Sequence, residues 1–220
     1  GSGLSLSGTT LSASGDLRLV NVTSHVTQDA GVGSNGSSAG GADNILIGSG
    51  AGNANAGTKN VFIGKEAGNA NTSSSGSTFI GYQTGKTNTT GGANTYLGYQ
   101  SGTSGSTNSA NTFVGYQSGN SNTGDNNNAF GYLALKQNTT GGGNAAFGTQ
   151  SLMSNTTGFE NAALGTYSLF NTTTGALNVA SGARSMMANT TGSYNTANGY
   201  QSATANTTGN NNTAFGSQAL

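Results

Sequence analysis

The side chains able to do chemistry are few and scattered. His25 is the only histidine, and it stands near Ser24 and Asp29. A serine, a histidine and an acid crowded onto one short stretch lack the separate elements that orient a catalytic triad, so His25 reads as a surface or interface residue. The acids Asp16, Asp29, Asp43, Glu66, Asp125 and Glu160 neither recur at one repeat position nor form a calcium-binding series. The chain has no cysteine, which excludes disulfides, thiolate metal sites and cysteine nucleophiles. Gly31-x-Gly33-x-x-Gly36 has the spacing of a dinucleotide loop, but Gly makes up 39 of 220 residues, so about one such match arises by chance. Gly81-Tyr-Gln-Thr-Gly85-Lys86-Thr87 is one residue short of a phosphate loop. These residues point away from an enzyme and away from any bound metal or cofactor.

A different set is regular enough to form a surface. Tyr82, Tyr99, Tyr116, Tyr132 and Tyr200 recur at related spacings, most of them followed by Gln83, Gln100, Gln117 and Gln201. A stripe of aromatic and amide side chains is suited to glycans, because rings stack on sugars and amides bond hydroxyls. The same stripe suits a ladder within the chain or an interface between chains. Ten Asn-x-Ser/Thr sequons are present, at Asn21, Asn35, Asn71, Asn88, Asn138, Asn155, Asn171, Asn189, Asn206 and Asn211, and most of them are written inside a turn sequence.

The elements that must hold this stripe are set by an unusual composition. Charged residues make up only 5% of the chain, net charge is zero, and Pro and Trp are absent. No basic footprint exists for a nucleic-acid backbone, and no apolar run approaches the ~18 residues of a membrane span. Large aliphatic residues and Phe fall below the ~20% at which a conventional core becomes doubtful. Disorder is nonetheless a poor reading, because disordered tracts are rich in Pro and charge.

The resolution is a repeat. Asn, three residues, then Gly recurs eleven times, with the glycines at 48, 64, 81, 98, 115, 131, 148, 165, 182, 199 and 216, at intervals of 16 or 17. The Asn positions are Asn44, Asn60, Asn94, Asn111, Asn127, Asn144, Asn161, Asn178, Asn195 and Asn212, with Ser77 replacing Asn once. Each copy continues into a turn most often written Asn-Thr-Thr-Gly, as at Asn138 to Gly141, and the two short intervals lose their residue there. Such regularity indicates stacked structural units. Gly, Asn and Thr at half the positions oppose a helix. The expected unit is a β-solenoid coil of two short strands and two turns. In-register stacking at ~4.8 Å lets each Asn amide bond the next, and the anchor Gly marks a corner. Ten steps give a rod roughly 50 Å long.

Two repeat positions trade volume. Two residues before the anchor Gly stand Leu46, Phe62, Phe79, Tyr96 and Phe113, while four residues after it stand Gly52, Gly68, Gly85, Gly102 and Gly119. In later copies the first position is always Ala, from Ala129 to Ala214, and the second holds Leu135, Leu152, Leu169, Met186, Ala203 and Leu220. Close-packed interiors tolerate swaps that conserve volume, so the two positions share one space inside the coil. The residue just before the Gly (Ile47, Ile63, Ile80, Leu97, Val114, Phe130, Phe147, Leu164, Phe215) has the opposite parity and is also apolar, until Ser181 and Asn198 interrupt it. One apolar face fills the coil. The other is expected to meet further chains, most naturally in a three-fold fibre.

These observations divide the chain into a small β connector at 1–30, a Gly/Ser-rich link at 31–43 and the solenoid at 44–220, with a change of repeat subtype near 120–129. The Asn-x-φ-φ-Gly pattern with Gly-centred turns resembles the head repeats of trimeric autotransporter adhesins. It resembles more closely the Asn-Thr-Thr-Gly-rich repeats of phage-type tail fibres and related bacterial surface fibres. The resemblance implies an all-β β-roll of about eleven 16–17-residue coils assembled as a parallel homotrimer. It also implies an extracellular place, on a cell surface or tail-like particle, with adhesion or host recognition as the role. The partners so implied are further copies of the chain and a host or prey surface glycan or protein, bound through a tip outside this segment, with neither nucleic acid nor membrane insertion. A second expectation is a glycan-binding module using the Tyr/Gln flank. A third, ice binding, requires an unbroken Thr array, whereas Thr78, Thr95, Thr112, Thr196 and Thr213 are interrupted by Asn128, Ala145, Ala162 and Val179.

Overall fold

A computed structural model describes residues 43–220. The connector at 1–30 and, apart from Asp43, the link at 31–43 lie outside the described residues, as do His25, Asp16, Asp29, the Gly31–Gly36 motif, Asn21 and Asn35. The described chain is an all-β parallel solenoid of about ten turns with no helix. Eleven strands of three residues, β1 (Ile45–Ile47), β2 (Val61–Ile63), β3 (Thr78–Ile80), β4 (Thr95–Leu97), β5 (Thr112–Val114), β6 (Asn128–Phe130), β7 (Ala145–Phe147), β8 (Ala162–Leu164), β9 (Val179–Ser181), β10 (Thr196–Asn198) and β11 (Thr213–Phe215), form one sheet in sequence order. Each strand pairs in parallel with the next, in register: Phe62 beside Phe79, Phe79 beside Tyr96, Ala146 beside Ala163.

Each coil has one strand, not the two expected. Beyond the corner the backbone still bonds coil to coil, as in Gly102 N–H to Ser118 O at 3.0 Å and Leu152 N–H to Ser168 O at 3.0 Å. It cannot lie flat, because residues two and four after the anchor Gly are left-handed. Gln100 has φ 51° and Gly102 57°, and Leu133 and Leu135 have 56° and 53°. Alternate left-handed residues curl the chain into successive turns where a second strand would need extended backbone. The anchor glycines themselves have φ between 113° and 144°. A Cβ on Gly98 would lie 2.3 Å from the carbonyl oxygen of Gly115 in the next coil, so only Gly fits that corner.

The interior is narrow, and buried polar side chains outnumber buried apolar ones. Its apolar part is a single column. Phe62, Phe79, Tyr96 and Phe113 stack face to face at 4.8 to 5.0 Å, all fully or almost fully buried. Their rings reach across the coil into the place of the left-handed glycines. A Cβ on Gly68, Gly85, Gly102 or Gly119 would come within 2.6 Å of the ring of its own coil. From β6 onward the strand contributes a buried Ala, and Leu135, Leu152, Leu169 and Met186 fill the same space from the other side.

Two Asn ladders run beside this column. In the first, each Asn oxygen accepts the backbone N–H of the following ladder residue, and in most coils its Nδ2 as well: Asn178 donates to Asn161 Oδ1 from its backbone N and from Nδ2, both at 3.0 Å. Most Nδ2 groups also bond a turn carbonyl further along the chain, as Asn161 to Gly175 O at 2.8 Å. Ser77, the one exception, keeps the series through its shorter side chain, with Ser77 N–H to Asn60 Oδ1 at 2.9 Å and Asn94 N–H to Ser77 Oγ at 3.2 Å. The second ladder is the Asn of the Asn-Thr-Thr-Gly turn. Asn155 Nδ2 bonds Asn138 Oδ1 at 2.7 Å and closes its own turn onto Gly158 O at 2.9 Å. In the two 16-residue coils the turn shortens to Asn55-Ala-Gly57 and Asn122-Thr-Gly124 and keeps the same closing bond, at 3.4 and 2.7 Å.

Local exceptions in the second ladder compensate one another. Tyr96 alone brings a hydroxyl into the ring stack, and Asn108 Nδ2 donates to it at 3.2 Å. Asn108 reaches that place because the ladder residue of its coil is Gly105, where a Cβ would lie only 1.9 Å from Asn108 Oδ1. Burial pushes the pKa of the Tyr96 hydroxyl up, so it stays protonated. No bond joins Asn71 to Asn88, where Asn71 Nδ2 is buried without a partner, and the row is broken again at Asn88 Oδ1, before Gly105, and at Asn155 Oδ1, before Thr172. Both oxygens are buried without a partner.

Candidate functional site

The coil sets three outward surfaces. The first is the outer face of the strand. Its middle residue points in, so the first and third residues point out. The third residues form an apolar row along the rod, with Leu97 and Leu164 each 44% exposed, Phe147 40% and Phe130 37%. Phe130 and Phe147 stack on each other outside the coil at 4.9 Å. The first residues hold the Thr row, which Asn128, Ala145, Ala162 and Val179 interrupt. No charged residue lies in either row.

The second surface is the Tyr/Gln flank, just past the corner. Tyr82, Tyr99, Tyr116 and Tyr132 stack in series at 5.1, 5.2 and 5.4 Å, within 18° of parallel. Each inner ring therefore turns its faces to its neighbours and only its edge and hydroxyl to solvent. Tyr200 stands apart, because the coils between carry Thr149, Thr166 and Ala183 at this position. The amides run alongside: Gln83 Nε2 donates to Glu66 Oε2 at 2.8 Å, Gln100 to Gln83 at 2.9 Å and Gln117 to Gln100 at 2.9 Å. Gln201 belongs to a separate pair and accepts from Gln218 at 3.3 Å. Glu66 ends the first series and pairs with Lys86 at 2.7 Å. The Lys86 bond, with that from Gln83, holds the Glu66 pKa below the usual carboxylate range. Gly81, Gly85 and Lys86 are thus committed to a corner, a ring and an ion pair, and they form no phosphate cradle.

The third surface is the turn side, which carries the sequons. Asn71, Asn88, Asn138, Asn155 and Asn189 occupy the second-ladder position and are fully buried, so the folded chain offers none of these amides to a glycosylating enzyme. That ladder escaped sequence reading because the Asn-Thr-Thr-Gly phrase already had a sufficient explanation as turn chemistry. Its signal was present in the recurrence of Asn seven residues after eight of the anchor glycines. Among the described residues no group of three or more His, Asp or Glu gathers to hold a metal ion, and no helix is long and apolar enough to cross a membrane.

By its fold the chain is a β-solenoid repeat protein. Neither a family model, a curated protein nor a solved structure matches it, so its functional reading rests on these surfaces.

Proposed function

We propose that the chain is a shaft or head segment of a trimeric extracellular fibre, on a cell surface or tail-like particle, that spaces and presents a contact for a host or prey surface. The observation that carries this reading is the uncharged apolar row on the outer face of the sheet. Soluble monomers rarely leave so long an apolar strip open. A partner that covers it along its length must repeat at the spacing of the coils, and a second copy of the same chain does so by construction of its sequence. Three-fold closure follows from the resemblance to trimeric fibres, and the low charge lets like surfaces approach without repulsion. Sedimentation equilibrium is expected to give a trimer. Phe130→Lys with Phe147→Lys is expected to give a folded monomer with unchanged far-ultraviolet dichroism, because both side chains lie outside the coil. A stable folded monomer of the unsubstituted chain at micromolar concentration sinks the proposal.

The Tyr/Gln flank supports a second reading, direct contact with a surface polysaccharide. The specific observation is the row of phenolic edges beside amides that each keep one N–H free of the ladder. Because the ring faces are covered, this contact works through hydroxyl and amide bonds. Tyr99→Phe with Tyr116→Phe keeps the stack and removes two hydroxyls. Assembly is expected to be unchanged and retention on a polysaccharide column reduced several-fold; equal retention counts against the flank.

A further inference from the structure

We infer that a notch on the turn side, at Asp125, Gly142 and Phe159, binds one pyranose ring of a saccharide. This site is independent of whether the chain assembles. It interrupts a column that holds one residue per coil, in the order Ser109, Asp125, Gly142, Phe159, Ala176, Ser193. In the coils on either side the backbone N–H of the column residue is bonded by a side-chain oxygen of the next coil. Gly92 N–H donates to Ser109 Oγ at 3.1 Å, Ser109 N–H to Asp125 Oδ1 at 2.7 Å, Ala176 N–H to Ser193 Oγ at 3.0 Å and Ser193 N–H to Asn210 Oδ1 at 2.7 Å. Gly142, Phe159 and Ala176 supply no oxygen. Three successive donors, the N–H groups of Asp125, Gly142 and Phe159, therefore have no acceptor in the protein. Ser75, facing Gly92, is a single case elsewhere in the column; a run of three occurs at the notch.

The same three coils leave an opening of about 490 Å³, lined among others by Asn126, Thr140, Gly143 and Glu160. Gly142 and Gly143 put no side chain into it. Phe159 is 47% exposed and has no ring partner, since its column neighbours are Gly142 and Ala176. The Glu160 carboxylate is exposed and unpaired, and one oxygen of Asp125 is free of the Ser109 bond. Asp125 and Glu160 stand two coils apart, about 10 Å along the axis at the usual strand spacing, too far to chelate one cation.

The donors and acceptors together select the ligand. It must accept bonds from backbone N–H groups and donate to carboxylates within a few ångströms. An anion meets the two negative charges of Asp125 and Glu160, and an ammonium group cannot accept. Hydroxyl groups do both. A polyol with an apolar C–H face also suits the bare ring of Phe159, and a pyranose has both features on one rigid frame.

The test is a titration of the whole chain, followed by ¹H–¹⁵N NMR, with methyl glycosides of glucose, galactose, mannose and N-acetylglucosamine. At least one is expected to cause saturable shifts at the amides of Asp125, Gly142 and Phe159, with a Kd on the order of millimolar, as for other small ligands held by few contacts. Gly142→Ser fills the notch and restores the oxygen that Ser109 and Ser193 provide in equivalent coils. It is expected to keep or raise the unfolding midpoint and to weaken binding at least tenfold, and Phe159→Ala is expected to weaken it similarly. Absence of saturable shifts with all four sugars overturns the inference. So does undiminished binding by a folded Gly142→Ser protein, or stronger saturable shifts at the same amides with inorganic phosphate.

Discussion

Gly119→Leu is expected to destabilise the solenoid by about 3 kcal/mol or more, and Phe113→Ala by about 3 to 5 kcal/mol, yet the two together are expected to restore most of the loss. The first change drives a Cβ to 2.5 Å from the Phe113 ring. That ring cannot swing away, because Tyr96 stacks on it at 5.0 Å and the coil wall encloses it. The second change empties one layer of a column with no other apolar filling. Combined, they reproduce the pair found one coil later, Ala129 with Leu135. Leu135 already sits at φ 53°, so a Leu at the φ of 56° of Gly119 adopts a conformation this fold uses elsewhere. The natural junction, where a Phe113 layer meets an Ala129/Leu135 layer, moves by one coil to Tyr96. Denaturant unfolding of the four proteins gives the coupling directly. A double variant as unstable as the sum of the singles means that the two positions do not share one space.

That shared space was legible in sequence because it left a covariation inside the chain: Phe with Gly in early coils, Ala with Leu in late ones. The period, the anchor Gly and the first Asn row were legible for the same reason, since repetition supplies its own comparison. What stayed hidden depends on backbone that has no residue signature here. Gln83, Gln100, Leu133, Leu152 and Met186 occupy left-handed conformations normally associated with Gly or Asn. Nothing in their types foretold that the coil would have one strand where two were expected. The Tyr stripe was visible, but whether its faces or its edges meet solvent is a matter of coil-to-coil offset. The notch at Gly142 was invisible for another reason: it is defined by oxygens that neighbouring coils have and this one lacks.

Asn161→Ala is expected to cost about 3 to 5 kcal/mol although it removes no apolar surface. Asn161 Oδ1 accepts from Asn178 N and Nδ2, and its own Nδ2 serves Gly175 O. Truncation leaves the Asn178 backbone N–H and the Gly175 carbonyl without partners in an interior closed to water, at about 1 to 3 kcal/mol for each buried orphan. Asn161→Ser is expected to recover part of the loss, since Ser77 shows that a shorter oxygen continues the series. Asn161→Asp separates polarity from shape. Its carboxylate keeps the acceptor for Asn178 but turns a second oxygen toward Gly175 O and Asn144 Oδ1, where a donor is needed, so burial and these oxygens raise its folded pKa above the unfolded ~3.9. A raised acid pKa means that the folded chain binds the proton more tightly. The Asp variant is therefore most stable below pH ~4 and loses up to ~1.4 kcal/mol per pH unit as pH rises toward its folded pKa. The Ala variant carries no such group, so the difference between the two unfolding profiles isolates the buried carboxyl. A flat difference between pH 4 and 7, or one that rises with pH, would show that the ladder tolerates charge and that its donors do not set the register of the coils.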